Sequence, residues 1–566
     1  MKRIAIAVLL AAGTMHAQTP EWDKLVDRYF DEAVFAFNPT AAVQEGFHAY
    51  DAKLEDLSAP AIKRQIETAR RFEAEFAKFP VAKLTADQLE DRTLVLSNIR
   101  GNLLGLETVR MWDKDPDQYA STASSAAFVI MSRTFAPADV RLRALIAREK
   151  QMPKLFFAGR ANLVNPPKLY TEVAIEQVPG IISFFKNDVP LAFKDVKDPA
   201  LLADFRLTNA SVINELEAWL KWLQTDVLPR SNGDYKLGAD TYSTKLHYEE
   251  MVDIPLDKLL EIGYADLKAN QQRFTETAKQ IDPKKTPQQI LEEAEKDHPT
   301  ADKLLQSFRD TLAGLREFIV QHKLMTIPSP VMPIIEETPA FMRALTSASM
   351  DTPGAYEQVA KEAYFNVTLV DPKWKPAQAE DWLRSFNRGT IASTAIHEAF
   401  PGHYVQFLYG PTAPSKIRKL ISANTYTEGW AHYCEQMMID EGYGAGDLKL
   451  RLGQLQDALL RDARFIVGIK LHTGQMTFDE GADFFVKEGY QTKITGQRET
   501  KRGASDATYL YYTLGKLEIL KLREDYKKLK GAAFTMEDFH NNFLKQGMPP
   551  IKIVRRKMLG NDSPVL

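Results

Sequence analysis

Thr394-Ala-Ile-His397-Glu398-Ala-Phe400-Pro401-Gly402-His403-Tyr-Val-Gln406 decides how this chain is read, together with Thr427-Glu428-Gly-Trp430-Ala-His432-Tyr433 downstream. The chain holds only 10 His. A His-Glu pair with a second His six positions after the first is expected on the order of 0.01 times from composition alone. The residue types suit a catalytic zinc site, where Zn²⁺ takes three nitrogen or oxygen ligands from the protein and keeps a position for water. His397, His403 and Glu428 fill that count. Glu398, next to the first His, can take the proton of such a water without ligating the ion. One Zn²⁺ per chain is the expected cofactor, and the same ligands also suit iron, manganese or cobalt.

The spacing departs from HExxH. Two His four apart lie about 40° from each other around a helix and share a face, whereas six residues turn the second through about 240°. Pro401 and Gly402 stand where the extra residues must be absorbed. Pro removes a backbone donor and clashes with the preceding turn, and Gly permits unusual dihedrals. The sequence therefore predicts a helix bulged or broken at Phe400 to Gly402, which swings His403 back toward His397. His432, four residues after Glu428, shares its helical face. That spacing fits a fourth ligand, an outer support for a ligand, a transition-state donor or a core histidine, and outer support is the preferred reading. Trp430 and Tyr433 read as packing residues.

Outward from this core, most of the chain reads helical. Ile62, Ile66, Ala69, Phe72 and Phe76 recur at helical spacing within 61–79. Thr85-Ala-Asp-Gln88, Thr286-Pro-Gln-Gln289 and Thr477-Phe-Asp-Glu480 are capping-box patterns. The first opens an apolar-periodic segment running to about Trp112. Strand signals are few. Residues 325–339 are rich in Pro and β-branched residues, so they are extended or an edge strand. Residues 364–370 alternate as a strand, whose backbone is expected to receive an extended peptide by edge addition. Pro- and Gly-rich patches near 165–168 and 231–234 are loops.

The 72 Lys plus Arg nearly balance 75 Asp plus Glu, which argues against a nucleic-acid partner. Met1-Lys2-Arg3, the apolar run from Ile4 to Ala12 and the small residues to Ala17 read as a signal peptide over 1–17, cleaved after Ala17. The run is too short to anchor the mature chain in a bilayer, and no Cys follows it to carry a lipid. An exported protein, periplasmic or secreted, is expected. Cys434 is the sole cysteine, so no intramolecular disulfide forms, and it reads as a small buried hydrophobe.

The two motifs, read as His-Glu-x-x-Pro-Gly-His-x-x-Gln over 397–406 and Thr-Glu-Gly-Trp-Ala over 427–431, resemble a bacterial family catalogued as domain of unknown function 885. Gly46-Phe-His-Ala-Tyr50 and Tyr512-Thr-Leu-Gly515-Lys-Leu look like further landmarks of that family. The family is similar to zincin metallopeptidases, and more distantly to thimet-type oligopeptidases and Taq-type carboxypeptidases. The resemblance implies a mainly α-helical, zincin-like fold around a deep active-site cleft, with a small β-sheet beside the metal-binding helix. It implies one domain over 18–566, divided into two subdomains framing the cleft, and the same His397, His403 and Glu428 ligands. It further implies a distant Tyr or His that steadies the oxyanion. Tyr512 is chosen for that role, with Tyr509 and Tyr511 as rivals. Glu499 and Arg502 match a family Glu-x-x-Arg pairing and are expected to pair with each other. Asp506-Ala507-Thr508 departs from the Pro-Gly-Gln that members often carry. The expected activity is hydrolysis of short peptides. A zinc hydrolase of other amides or esters, and an exported peptide-binding protein without catalysis, are the competing readings.

Overall fold

The computed structural model describes residues 19–339, 342–343 and 346–566. The expected signal peptide over 1–17 lies outside them. The described chain is mainly helical, and local chemistry explains where helices begin. Thr85, Thr286 and Thr477 each accept from the backbone N–H three residues on, and the Gln88, Gln289 and Glu480 side chains reach back to the Thr N–H. Each box satisfies two orphan donors at once. The helix opened by Thr85 runs Ala86–Leu104 and widens over Gly105–Val109; Arg110, at φ 58°, then ends the turn short of the predicted Trp112. The helix Ala59–Lys78 buries Ile62, Ala69, Phe72 and Phe76, as its spacing predicts. The loops near 165 and 231 lie against each other, with the Gly233 N–H donating to Pro166 O at 3.1 Å.

Three short strands form one sheet in the order β1–β3–β2. β1 (Ile334–Glu337) runs parallel to β3 (Tyr364–Val367), and β2 (Ala348–Asp351) runs antiparallel to it. β1 is an edge strand, as the Pro-rich segment predicts. β3 is the central strand: Tyr364 to Val367 face β1 on one side and β2 on the other. This corrects the expectation of peptide addition at 364–370, because the backbone groups of β3 are spent within the sheet.

One core cluster joins this sheet to the motif segments. Ile335, Phe365 and Val367 from the strands share it with Ile391, Ala395, Ile396, Ala399 and Phe400, and with Tyr426, Trp430 and Tyr433. Four helices frame the motif residues: the His397 helix (Arg388–Glu398), the Glu428 helix (Asn424–Asp440), the Arg461 helix (Leu448–His472) and the Tyr512 helix (Tyr511–Lys530). The long helix Leu256–Ile281 backs the Arg461 helix, packing Leu267 and Phe274 against Leu452, Leu455, Leu459 and Ile466. No helix among the described residues is long and apolar enough to cross a membrane.

Candidate metal centre

The His397 helix starts where the Asn387 side chain accepts from the N–H groups of Gly389 and Thr390, and it stops at Glu398. The next helix, His403–Tyr409, begins five residues later, so the predicted break is real. Ala399 leaves the helical region at φ −121°, ψ −76°, and Gly402 turns the chain at ψ −129°. Gly402 is required sterically: a Cβ there would lie 1.8 Å from the His397 carbonyl oxygen. The Gly402 N–H donates to Ile396 O at 2.9 Å, and the Trp430 indole donates to Pro401 O at 3.0 Å. Trp430 is fully buried, stacked on Phe543. Its packing role thus includes clamping the break to the Glu428 helix.

The Glu428 helix has no side-chain cap of its own. Instead Glu250, from the helix Ala239–Glu250, accepts from the Asn424 and Thr425 N–H groups at 3.1 and 2.9 Å and from the Thr425 hydroxyl at 2.7 Å. A carboxylate at a helix N-terminus satisfies orphan donors and opposes the helix dipole. Farther along, Gly429 meets Gly515 of the Tyr512 helix: a Cβ on Gly515 would lie 1.9 Å from Thr425 O, and one on Gly429 2.5 Å from the Gly515 Cα. Close backbone approach here requires both glycines and sets Tyr512, one turn before Gly515, beside the ligand candidates.

These constraints gather His397, His403 and Glu428. Their ligand atoms lie within 4.8 Å of one another. Nε2 of His397 and Nε2 of His403 each stand 3.4 Å from the same Glu428 oxygen. Ligands bound at about 2.0–2.1 Å in tetrahedral array stand about 3.4 Å apart, so these spacings fit a Zn²⁺-sized ion. That Glu428 oxygen is buried and, beyond these two imidazoles, has no partner, a position a cation would complete. Burial disfavours the charged Glu428, but His403 and then His397 outweigh it and hold the carboxyl well below its ordinary range. Burial likewise opposes protonation of His397, yet the Glu428 and Glu435 carboxylates lift it to about 9. The donor set carries the polarity a divalent cation replaces when it displaces protons.

Each imidazole is also held from behind. His397 Nδ1 meets Glu435 Oε1 at 2.7 Å, and His403 Nδ1 lies 3.4 Å from Gln406 Oε1. The Gln406 amide nitrogen reaches the Tyr426 carbonyl at 3.4 Å, which gives the last residue of the first motif its place. An imidazole that donates through Nδ1 keeps its Nε2 lone pair for a metal. Glu435 Oε1 also takes the Arg461 guanidinium at 2.8 Å, and Glu435 Oε2 takes His432 Nδ1 at 3.1 Å.

The structure therefore places His432 behind the ligands, fully buried and joined to His397 only through Glu435. Burial drives its imidazole down to about 3. It is outside the cluster of His397, His403 and Glu428, the position of the outer support preferred from its spacing and not that of a fourth ligand. Glu398 follows His397 directly, is half-buried, and is raised by burial, with the imidazoles of His397 and His403 opposing that rise. Tyr512 lies beside His397, ring centres 6.1 Å apart and 28° from parallel. Tyr509 is fully buried, its hydroxyl directed at Glu499 O, and the Tyr511 hydroxyl is taken by Asp506. The expected Glu499–Arg502 pair is replaced. Glu499 holds Arg464 in a two-pronged bond of 2.6 and 2.9 Å, and Arg502 donates to the Tyr512 hydroxyl at 2.9 Å.

The site residues the sequence reading missed are Glu435, Arg461 and Arg464. Glu435 follows Glu428 by seven residues and His432 by three, so all three share one helical face. That polar stripe within an otherwise buried helix was its available signal.

Residues 39–558 match the family described as bacterial protein of unknown function, DUF885. The chain belongs to the DUF885 family. Two solved structures resemble it. One, described as "a putative lipoprotein of unknown function" from Shewanella oneidensis, is 26% identical, with a TM-score of 0.78 over 96% of this chain and 100% of that one. The other, described as a "putative lipoprotein" from Colwellia psychrerythraea, is 17% identical, with a TM-score of 0.80 over 95% of this chain and 98% of that one, a likeness of fold. No curated protein matches the chain. That match spans the break, the clamp, the helix crossing and the ligand candidates described above.

Proposed function

We propose that this DUF885 protein is an exported zinc-dependent peptidase of the zincin type that hydrolyses short peptides. The observation that carries the reading is the pair of imidazole Nε2 atoms 3.4 Å from one Glu428 oxygen that has no other partner, with Glu398 next in sequence to the first imidazole. His397, His403 and Glu428 would hold the ion. When bound, Zn²⁺ supplies Lewis acidity and brings the pKa of a water to roughly 7.

The chain's own groups supply the rest. The Glu398 carboxylate accepts the proton of the attacking water and returns it to the leaving amine. Its burial among His397 and His403 keeps it near the charge it must exchange. Tyr512 accepts a hydrogen bond from Arg502, which leaves its own O–H free to donate to the developing oxyanion. The side chain of Glu428 retains 22% exposure while His397 keeps 7% and His403 10%, so the centre opens to solvent on the Glu428 side. We place the substrate cleft there. Export rests on the basic-apolar-small N-terminal pattern, together with the lipoprotein description given for the Shewanella structure.

The test is a peptide library incubated with the zinc-loaded protein and with Glu398→Gln, products read by mass spectrometry. The expected result is cleavage by the native chain and a loss of about 10²–10⁴-fold in the variant with zinc still bound. Cleavage of non-peptide amides or esters alone would shift the reading to another hydrolase. Binding without any turnover would leave a peptide-binding protein.

A further inference from the structure

Three guanidinium groups surround the Tyr512 ring. The Cζ atoms of Arg461, Arg464 and Arg502 lie 5.6, 4.9 and 5.8 Å from its centre. Two of them are committed. Arg461 is 9% exposed and paired with Glu435, and Arg464 is 8% exposed and gripped by Glu499. Arg502 differs. Its side chain is 38% exposed, and its nearest carboxylate oxygen, on Asp506, is 3.8 Å away. Asp506 itself accepts from the Tyr511 hydroxyl. Arg502 is thus a cation with donors to spare, next to the phenol that adjoins His397.

We propose that Arg502 anchors the free α-carboxylate of a bound peptide, so that the enzyme removes residues from C-terminal ends; this rests on the peptidase reading above. A guanidinium presents a planar fork of N–H donors that matches a carboxylate in two parallel bonds. The distances suit the role. The Tyr512 ring centre is 6.1 Å from that of His397 and 5.8 Å from the Arg502 Cζ, so no more than the sum of the two separates the guanidinium from the ligand ring. An extended peptide advances about 3.3–3.6 Å per residue. At most about three residues fit between the scissile carbonyl and the anchor, which makes the departing fragment a single amino acid or a very short peptide. With Arg461 and Arg464 neutralised by buried carboxylates, Arg502 is the cation of this trio left to meet an incoming anion. Asp506 stands too far for a two-pronged pair, and a substrate carboxylate would take the closer position.

Two assays on the full chain decide this. In the first, the zinc-loaded protein and Arg502→Met receive a hexapeptide library as free acids and as matched C-terminal amides. The native chain is expected to cleave the acids at least tenfold more efficiently, releasing C-terminal fragments. The variant should lose that preference through a rise in KM confined to the acids, while any fall in kcat from the lost Arg502–Tyr512 bond is shared by acids and amides alike. A residue that only positions Tyr512 would lower kcat on both forms and leave the preference for acids intact, and that outcome overturns the proposal. In the second, calorimetry measures penta-alanine and its amide binding to Glu398→Gln, with and without Arg502→Met. About tenfold tighter binding of the acid, abolished by the second substitution, is expected, with Arg502→Lys restoring it in part. Equal cleavage of acids and amides by the native chain refutes the anchor and leaves the peptidase reading standing. Absence of all turnover refutes the peptidase reading, and calorimetry then decides the anchor by itself, equal affinities rejecting it.

Discussion

Glu435 has no contact with substrate in this arrangement, yet it ties the centre together. Its two oxygens meet His397, Arg461 and His432, and these partners, the Arg461 charge foremost, outweigh its burial and keep it ionised. Partners of this kind fix the tautomer and orientation of a metal-binding imidazole, and their loss typically costs 10–100-fold in metal affinity. Glu435→Gln is expected to weaken zinc binding by about that factor, measured by competition with a chelating dye. Unchanged affinity would mean that Glu435 serves packing alone. The convergence of His397, His403 and Glu428 was legible in the sequence because metal chemistry restricts residue type and spacing. Glu435 was not, because a buried carboxylate seven residues from another has no signature until the helix face is known to be dry. For His432, spacing left several roles open, and its burial behind Glu435 selects outer support over a fourth ligand.

At the scale of elements, the centre depends on one break and one crossing. The break was legible because Pro401-Gly402 interrupts a helical pattern, and two His six apart cannot otherwise converge. The crossing was visible only as unexplained glycines. Gly429 and Gly515 allow the Glu428 and Tyr512 helices to approach until a methyl group would overlap the Thr425 carbonyl. Gly515→Ala should push these helices apart, carrying Tyr512 away from His397. We expect destabilisation of about 1–3 kcal/mol from overpacking, and a loss of turnover larger than any loss of zinc, since Tyr512 is not a ligand. Thermal melting and zinc stoichiometry measured beside peptide cleavage check it; full activity in the variant would remove the crossing from the mechanism. The position of β3 shows a further limit: alternation identified a strand, but its neighbours are set by tertiary pairing, so the expected edge turned out to be the centre of the sheet.

At the scale of the whole molecule, a carboxyl buried outside the candidate site contributes to the pH response of stability. Glu149 accepts from Thr208 in the helical core before the sheet, and burial raises its carboxyl to about 8 despite that bond, against about 4.3 for an exposed Glu. The folded chain therefore keeps a proton that the unfolded chain releases across this window. The folded state binds more protons, so stability contributed here is full below about pH 4 and is lost as pH rises toward 8. Glu149→Gln should flatten the fall in urea midpoint between pH 5 and pH 8, and an identical slope would exclude Glu149 as its source. The proposed metal centre would couple to the same global equilibrium, since an ion held by side chains from three helices would bind the folded chain and not the unfolded one. The most direct measurement is elemental analysis of the purified protein after zinc loading and gel filtration, with His403→Ala in parallel. About one zinc per native chain, and a folded variant that retains almost none, is the predicted result; a native chain without zinc, or a variant that binds it equally, would contradict it.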